Sequence, residues 1–328
     1  MEKIYVKDLK PSQAIKCTFL VKDKNLGTDK KGHSFLSLVL SDKTGQVDAR
    51  VFGQAEEMNE LFEVDDFVFV KATVQKFQNR NQLVIQNIEA MSPTSVQIAD
   101  FLPTTKNNIE EMFSDLIKIS QEVRNPFIKD LILNTLNDSE IQPLIKKCPA
   151  AKSVHHAYIG GLLEHTLSIC NVMKLISQNY KELDLDLLIF GAIFHDIGKV
   201  WELSFDTYIG YTDVGRLVGH IPLGSELVER KAKEIPNFPV ELKNVCKHLV
   251  LTHHGKLEYG SPKRPKFLEA MVVGMIDELD SRINSMMTYM NAQMSESNPE
   301  QKWSSYNSMY DRYFYLDVLK QQKAKVEK

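Results

Sequence analysis

The sequence predicts a multidomain protein of mixed α and β structure, with a small five-stranded barrel followed by an all-helical bundle. Three observations point there. Over the first ninety or so of 328 residues, short runs rich in Val, Ile, Phe and Thr alternate with turn signals. Beyond residue 108 apolar residues recur at helical spacing, and Met91-Ser92-Pro93-Thr94-Ser95 breaks the pattern between the two regions. The length exceeds one typical domain of roughly 100–200 residues. The expected divisions are 1–92 for the barrel, 93–150 for a linker and helical connector, 151–292 for the bundle and 293–328 for a C-terminal helical extension.

In the first region, residues 14–21 read as a strand, followed by turns at Asn25-Leu26-Gly27 and Lys31-Gly32. A hairpin pairs residues 35–40 with 46–52 through Ser41-Asp42-Lys43-Thr44-Gly45. A short helical stretch at 55–61 precedes strands at 66–75 and 82–90. Five strands with a helix between the third and fourth fit a barrel of the oligonucleotide/oligosaccharide-binding (OB) kind. The period of two sends Leu36, Leu38, Leu40, Val47, Ala49 and Val51 inward and leaves Phe35, Arg50 and Phe52 outside. That outer face is where such barrels stack bases and meet phosphates. Lys22, Lys24, Lys30 and Lys31 lie in the first loop, and Lys76, Phe77, Arg80 and Asn81 in the last. Each is equally well an ordinary solvated side chain, and Phe35 and Phe52 could instead pack on the second region. The segment Phe35-Leu36-Ser37-Leu38-Val39-Leu40-Ser41-Asp42-Lys43-Thr44-Gly45-Gln46-Val47 resembles the OB domains of the anticodon-binding type.

With 43% hydrophobic and 25% charged residues the composition is that of a globular protein, and a net charge of -3 gives nucleic-acid binding no global basic excess. The N-terminus has no apolar leader and no segment reaches the ~20 apolar residues of a membrane span, so a cytoplasmic protein is expected. Cys17, Cys148, Cys170 and Cys246 lack CxxC spacing, which argues for reduced thiols rather than disulfides or a zinc ribbon. Of nine histidines only His33 lies outside 155–254, a clustering that favours a metal site.

Helices are expected at 108–123, 127–136 and 140–147, a connector without recognisable chemistry. In the helix at 160–179, His165 faces inward with Leu162, Leu163 and Ile169; alone, it would read as a core histidine. The helix at 183–194 is apolar nearly all round, so it is buried, and it delivers His195 and Asp196 at its end. A buried carboxylate needs a positive partner. Adjacent residues share no helix face, so the pair can serve one site only if the helix is ending, for which Gly198 is the expected terminator. A hairpin at 200–213 follows, and His220 lies near the next helix start. The helix at 240–251 ends in Thr252-His253-His254-Gly255. In the long helix at 266–290, Asp277 interrupts an apolar run, with Asp280 one turn on. Asp277 is the preferred ligand, and Asp280 the residue that orients one.

The order His165, His195-Asp196, His220, His253-His254, Asp277 resembles the HD superfamily of metal-dependent phosphohydrolases, in the subgroup able to hold two metals. Joined to the OB barrel, and with His155-His156-Ala157-Tyr158-Ile159-Gly160-Gly161-Leu162-Leu163-Glu164-His165-Thr166 at the entrance, the chain resembles the YhaM-type 3′-5′ exoribonucleases of Gram-positive bacteria. The resemblance implies stepwise hydrolysis of single-stranded RNA, or of single-stranded DNA, from the 3′ end with release of nucleoside 5′-monophosphates, and it implies a homo-oligomer.

The ligand types carry their own chemistry. Mixed imidazole and carboxylate donors suit Mn, Fe, Co or Zn better than Mg, and Mn is the expected ion. Two ions, with Asp196 between them, would activate a water and hold phosphoryl oxygens, so no protein nucleophile is needed. His195, Asp196 and Lys199 are the expected catalytic residues, Lys199 meeting a phosphate oxygen. Arg216, Lys263 and Arg264 could hold the nucleic-acid backbone or be plain surface charges; His155 and His156 could touch substrate or cap a helix. Within the HD proteins, cyclic-dinucleotide hydrolysis is the rival, but Gly260-Ser261-Pro262 departs from the Gly-Tyr-Pro of that branch and the barrel favours a polymer. Nucleotide hydrolysis is a second rival, and binding of single strands on an inert HD scaffold a third. Tyr306, Met309, Tyr310, Tyr313, Phe314 and Leu316 stand near helical spacing in a tail at 303–319, suited to a core or subunit contact.

Overall fold

A computed structural model describes residues 3–29, 32–78, 80–296 and 301–326, so Lys30 and Lys31 lie outside the described residues. Strands β1 (Ala14–Thr28), β2 (Ser34–Asp42), β3 (Gly45–Phe52), β4 (Phe67–Phe77) and β5 (Arg80–Met91) form a closed barrel in the order β1-β2-β3-β5-β4. All pairings are antiparallel except β3 with β5. The helix α1 (Ala55–Asn59) stands between β3 and β4. Alternation fixes the lining: Leu36, Leu38, Leu40, Val47, Ala49 and Val51 are all buried inside.

The turn expected at Asn25-Leu26-Gly27 is strand. Leu26 pairs with Leu36 and Gly27 with Phe35. Gly27 lies under the Phe35 side chain, whose ring tip a Cβ there would approach to 2.9 Å. Leu20 and Phe67 belong to the helical core instead of the barrel interior. Phe67 meets Phe101 with ring centroids 4.8 Å apart, which joins barrel to bundle.

After two 3-10 turns come α2 (Ile109–Gln121), α3 (Pro126–Leu136) and α4 (Ile141–Lys147). Asn108 and Asn125 cap α2 and α3, each side chain accepting two backbone N–H bonds. Helix α5 (Gly161–Asn179) packs on α6 (Leu185–Phe194), whose residues from Leu188 onward are all buried. The hairpin expected at 200–213 is mostly replaced: α7 (Lys199–Glu202) leads into two-residue strands, β6 (Leu203–Ser204) and β7 (Gly210–Tyr211). Then follow α8 (Asp213–Leu217), α9 (His220–Lys233), α10 (Val240–Thr252) and α11 (Leu268–Glu296). Among the described residues no helix is long and apolar enough to cross a membrane. All four cysteines are free and buried.

The tail departs from the expected helix. Residues 303–315 form a loose hairpin with bridges Trp303 to Tyr315 and Asn307 to Arg312, and among the described residues from 301 onward only α12 (Asp317–Val326) is helical. The Asn307 side chain accepts from the Tyr310 N–H and closes a turn, and Phe314 packs on Tyr289 of α11. Local Asn turn chemistry overrides the aromatic spacing.

Candidate metal centre

Five helices bring the predicted ligands together. His165 comes from the buried face of α5, and His195 caps the C-terminus of α6. The chain tightens there: Ile197 N–H donates to Phe194 O and Lys199 N–H to Asp196 O, three residues back instead of four. Asp196 therefore swings to the same side as His195. Gly198 is not the left-handed terminator expected of it. Its φ is -65°, and α7 begins directly after it. Its role is close approach, because a Cβ would lie 2.0 Å from His220 O. That approach brings the start of α9, and His220 with it, against the His-Asp pair. His253 caps α10, followed by His254 and by Gly255 at φ +74°.

Ligand atoms of His165, His195, Asp196 and Asp277 lie within 4.8 Å of one another, as do those of His220, His253 and His254. Asp196 joins the two groups. Its Oδ2 is 3.5 Å from His195 Nε2 and 3.8 Å from His165 Nε2, while its Oδ1 is 3.5 Å from His220 Nε2 and 3.6 Å from His253 Nε2. Asp277 Oδ1 is 3.3 Å from His165 Nε2.

The imidazoles share one arrangement. Each turns Nδ1 to an oxygen acceptor: His195 to Ala192 O at 3.0 Å, His253 to Val250 O at 2.8 Å and His254 to Tyr259 O at 2.7 Å. His220 donates to Glu202 at 2.9 Å and His165 to Asp280 at 2.8 Å. A carbonyl can only accept, so Nδ1 carries the proton and Nε2 offers its lone pair.

That leaves lone pairs facing each other. His165 Nε2 is 3.2 Å from His195 Nε2, and the buried atoms Asp196 Oδ1, His220 Nε2 and His253 Nε2 have no hydrogen-bond partner among the described residues. Orphaned buried polar atoms are unfavourable and call for an explanation. An ion with bonds near 2.1 Å separates its ligands by about 3.0–3.4 Å, close to the spacings here. The residues fit a divalent metal.

Comparison with known proteins agrees. An HD domain family matches residues 162–282, and an OB-fold nucleic acid binding domain family matches residues 20–91. The chain is 34% identical over 280 residues to the 3′-5′ exoribonuclease YhaM of Listeria welshimeri, covering 85% of this chain and 88% of that protein. It is 33% identical over 304 residues to the YhaM of Bacillus velezensis, covering 92% and 95%. The chain belongs to the YhaM exoribonuclease family. Against the YhaM of Bacillus subtilis the identity is 34%, over 81% of this chain and 84% of that protein.

Charge at the YhaM-type centre is balanced internally. Burial would push the Asp196 carboxyl up, but Lys199 and then His195 outweigh it and hold it well below the ordinary range. Burial likewise opposes the charge on Lys199, and Asp196 restores it. Lys199 was expected to face substrate. Its ammonium is instead buried and donates to Asp196 Oδ2 at 2.6 Å. With no ion to compete for Nε2, Asp277 and Asp280 outweigh burial and raise the His165 imidazole to about 9, so an ion binding there displaces a proton, whereas burial drives His253 well below its ordinary value.

Asp280 lies behind His165 and also accepts from Ser168 Oγ and, at 3.0 Å, from His156 Nε2. His156 is buried among these residues. The His155 ring centroid is 6.1 Å from that of His165. Glu202 is the main functional residue that spacing along the sequence does not reveal. Its carboxylate accepts from both the N–H and Nδ1 of His220 and is held low, the His220 bond outweighing burial. Its signal is position, one turn beyond Lys199, which is visible only if 199–202 is read as helix.

On the barrel, Phe35 and Phe52 are direct cross-strand partners, and Phe52 is 63% exposed. Arg50 donates to Ser37 Oγ and lies 5.9 Å from the Phe35 ring centroid. A hollow of about 520 Å³ beside the two rings also includes Asp29, Glu56 and Glu57, so this platform is less basic than expected. Lys76, Phe77 and Arg80 form the exposed tip of the β4–β5 hairpin. Arg216, Lys263 and Arg264 are exposed on the bundle.

Proposed function

We propose that the chain is a metal-dependent 3′-5′ exoribonuclease that shortens single-stranded RNA and releases nucleoside 5′-monophosphates. The observation that carries this reading is Asp196, with one oxygen toward each of two adjacent ligand groups, in a chain that also holds an OB barrel. We infer two sites, His165, His195, Asp196 and Asp277 for one and His220, His253, His254 and Asp196 for the other. Their mixed nitrogen and oxygen donors suit Mn, Fe, Co or Zn better than Mg, and Mn is the ion we propose. When bound, two such ions supply an activated water and electrostatic stabilisation of the phosphoryl oxygens.

The chain's own residues supply preorganisation. The Nδ1 anchors hold each Nε2 toward the centre, Lys199 keeps Asp196 ionised and fixed, and Asp280 and Glu202 orient His165 and His220. Phe35, Phe52 and Arg50, with Lys76, Phe77 and Arg80, are the proposed barrel contacts to the single strand. Self-association is proposed through exposed apolar residues of α11 and the tail, among them Leu279, Ile283, Met287, Trp303 and Tyr313. Sedimentation of the full chain as a monomer would remove that part.

The deciding experiment is the product ladder from 5′-labelled RNA and DNA oligomers incubated with Mn. Stepwise loss of 3′ nucleotides from RNA is expected, with slower loss from DNA. Internal cuts, or removal of the 5′ label as the first product, would overturn the assignment. His195→Ala and Asp196→Ala should each abolish the ladder while leaving RNA binding.

A further inference from the structure

A groove of about 760 Å³ opens on His253 and His254 and runs along α11 to Glu278 and Arg282. Its inner end and the ligand group share a wall. Gly274 permits this, since a Cβ there would lie 2.2 Å from His253 O, so α11 closes directly on the end of α10. From Gly274 to Arg282 the helix rises about 12 Å, room for about three stacked nucleotides at roughly 3.4 Å each.

The lining has a mixed character suited to a single strand. Lys256, Arg264 and Lys266 contribute three cations, and among the described residues none has a carboxylate partner; Arg282 is neutralised by Glu278. Tyr259 is exposed, with the Lys256 ammonium 5.2 Å from its ring centroid, and Phe267, Met271 and Met275 add apolar wall. Unpaired cations alternating with aromatic and thioether surfaces hold phosphates and bases together without reading sequence. The exposed cations Arg216 and Lys263 do not line this groove.

We infer that this groove seats the last few nucleotides at the 3′ end of the RNA, with Lys256, Arg264 and Lys266 holding their phosphates and Tyr259 stacking a base. The inference rests on the exoribonuclease reading and adds the route by which the end reaches the metal centre.

The test uses the full chain in calcium-containing buffer and a 5′-labelled 12-nucleotide RNA, comparing wild type with the combined Lys256→Ala, Arg264→Ala, Lys266→Ala variant. Each single-strand phosphate that is no longer neutralised reduces the slope of log K against log salt by about 0.7, so a reduction of about 2 is expected, with affinity at least about tenfold weaker. A second measurement does not depend on the variant. RNA carrying 4-thiouridine at its 3′-terminal position should photo-crosslink to the peptide containing Tyr259, whereas 5′-terminal 4-thiouridine should not. An unchanged salt slope together with crosslinking elsewhere overturns the inference, even if the wild type degrades RNA stepwise. If Met275→Glu dissociates an oligomer while RNA affinity and slope stay unchanged, the groove is a protein interface and the inference is likewise overturned. Failure of the exoribonuclease reading would show separately, as wild type with Mn leaving RNA uncut.

Discussion

Gly198→Ala isolates the close approach on which the centre depends. The added Cβ would stand 2.0 Å from His220 O and 2.8 Å from Gly224 N, both backbone atoms at the start of α9. Neither can rotate away as a flexible side chain would. The first turn of α9 must therefore retreat by about 1 Å or more, and misplacement on that scale costs roughly 100-fold in rate. Overpacking costs about 1–3 kcal/mol, with the upper end expected where backbone meets backbone. At roughly 2–4 °C per kcal/mol, a cost of about 3 kcal/mol should lower the melting temperature of the helical region by about 6–12 °C. Calorimetry and the 3′-end ladder measure the two effects on the same sample. Gly53→Ala is the control: it has positive φ but nothing within 4 Å, so it adds backbone strain without a clash. A Gly198→Ala protein with wild-type melting temperature and ladder rate would refute the reasoning that this glycine sets the position of His220.

Glu202→Gln removes the charge that orients His220 through two hydrogen bonds, and Mn affinity in one site should fall about 10–100-fold by calorimetric titration. An unchanged isotherm would mean that Glu202 is only a structural acid. Phe52→Ala should weaken binding of single-stranded RNA through loss of about 1–3 kcal/mol of stacking, raising KM with little change in kcat; a fall in kcat at constant KM would move the substrate off this face. The Asp138 carboxyl is held below its ordinary value chiefly by the Lys231 bond at 2.7 Å. A depressed carboxylate stabilises the fold above its unfolded pKa and loses that contribution as pH falls through its folded pKa. Asp138→Asn should thus be less stable than wild type by a constant amount from about pH 5 to 8, with the gap closing below about pH 4. Denaturant melts at several pH values test it, and a gap that persists into acid would contradict the pairing.

Periodicity made the barrel and the bundle legible, because burial of one face writes itself into the sequence at period two or 3.6. Leu36, Leu38 and Leu40 point where alternation sends them. Local spacing fails where tertiary contacts decide. Gly27 looks like a turn, but it pairs with Phe35 inside a long strand. Gly198 looks like a terminator, but it makes room for the carbonyl of His220. Glu202 is hidden because its partner, His220, lies across a connection that reads as a hairpin and folds mostly as helix. Lys199 is legible as a site residue and not in its contact: a lysine one turn beyond a buried aspartate is as well placed to neutralise it as to reach substrate.

The same competition bears on why the doublet sits at a broken helix end. In a continuing α6, His195 and Asp196 would diverge by about 100° and serve different surfaces. The tightened turn at 194–199 brings both inward, and it leaves Asp196 with each oxygen toward a different set of imidazoles. A buried carboxylate in that geometry needs a counter-charge, which Lys199 provides from the next turn. A Lys199→Met chain should therefore show a larger rise in melting temperature on adding Mn than wild type does, because metal would then be the main cation available to Asp196. An equal rise in both proteins would mean that Lys199 contributes nothing to holding the centre together.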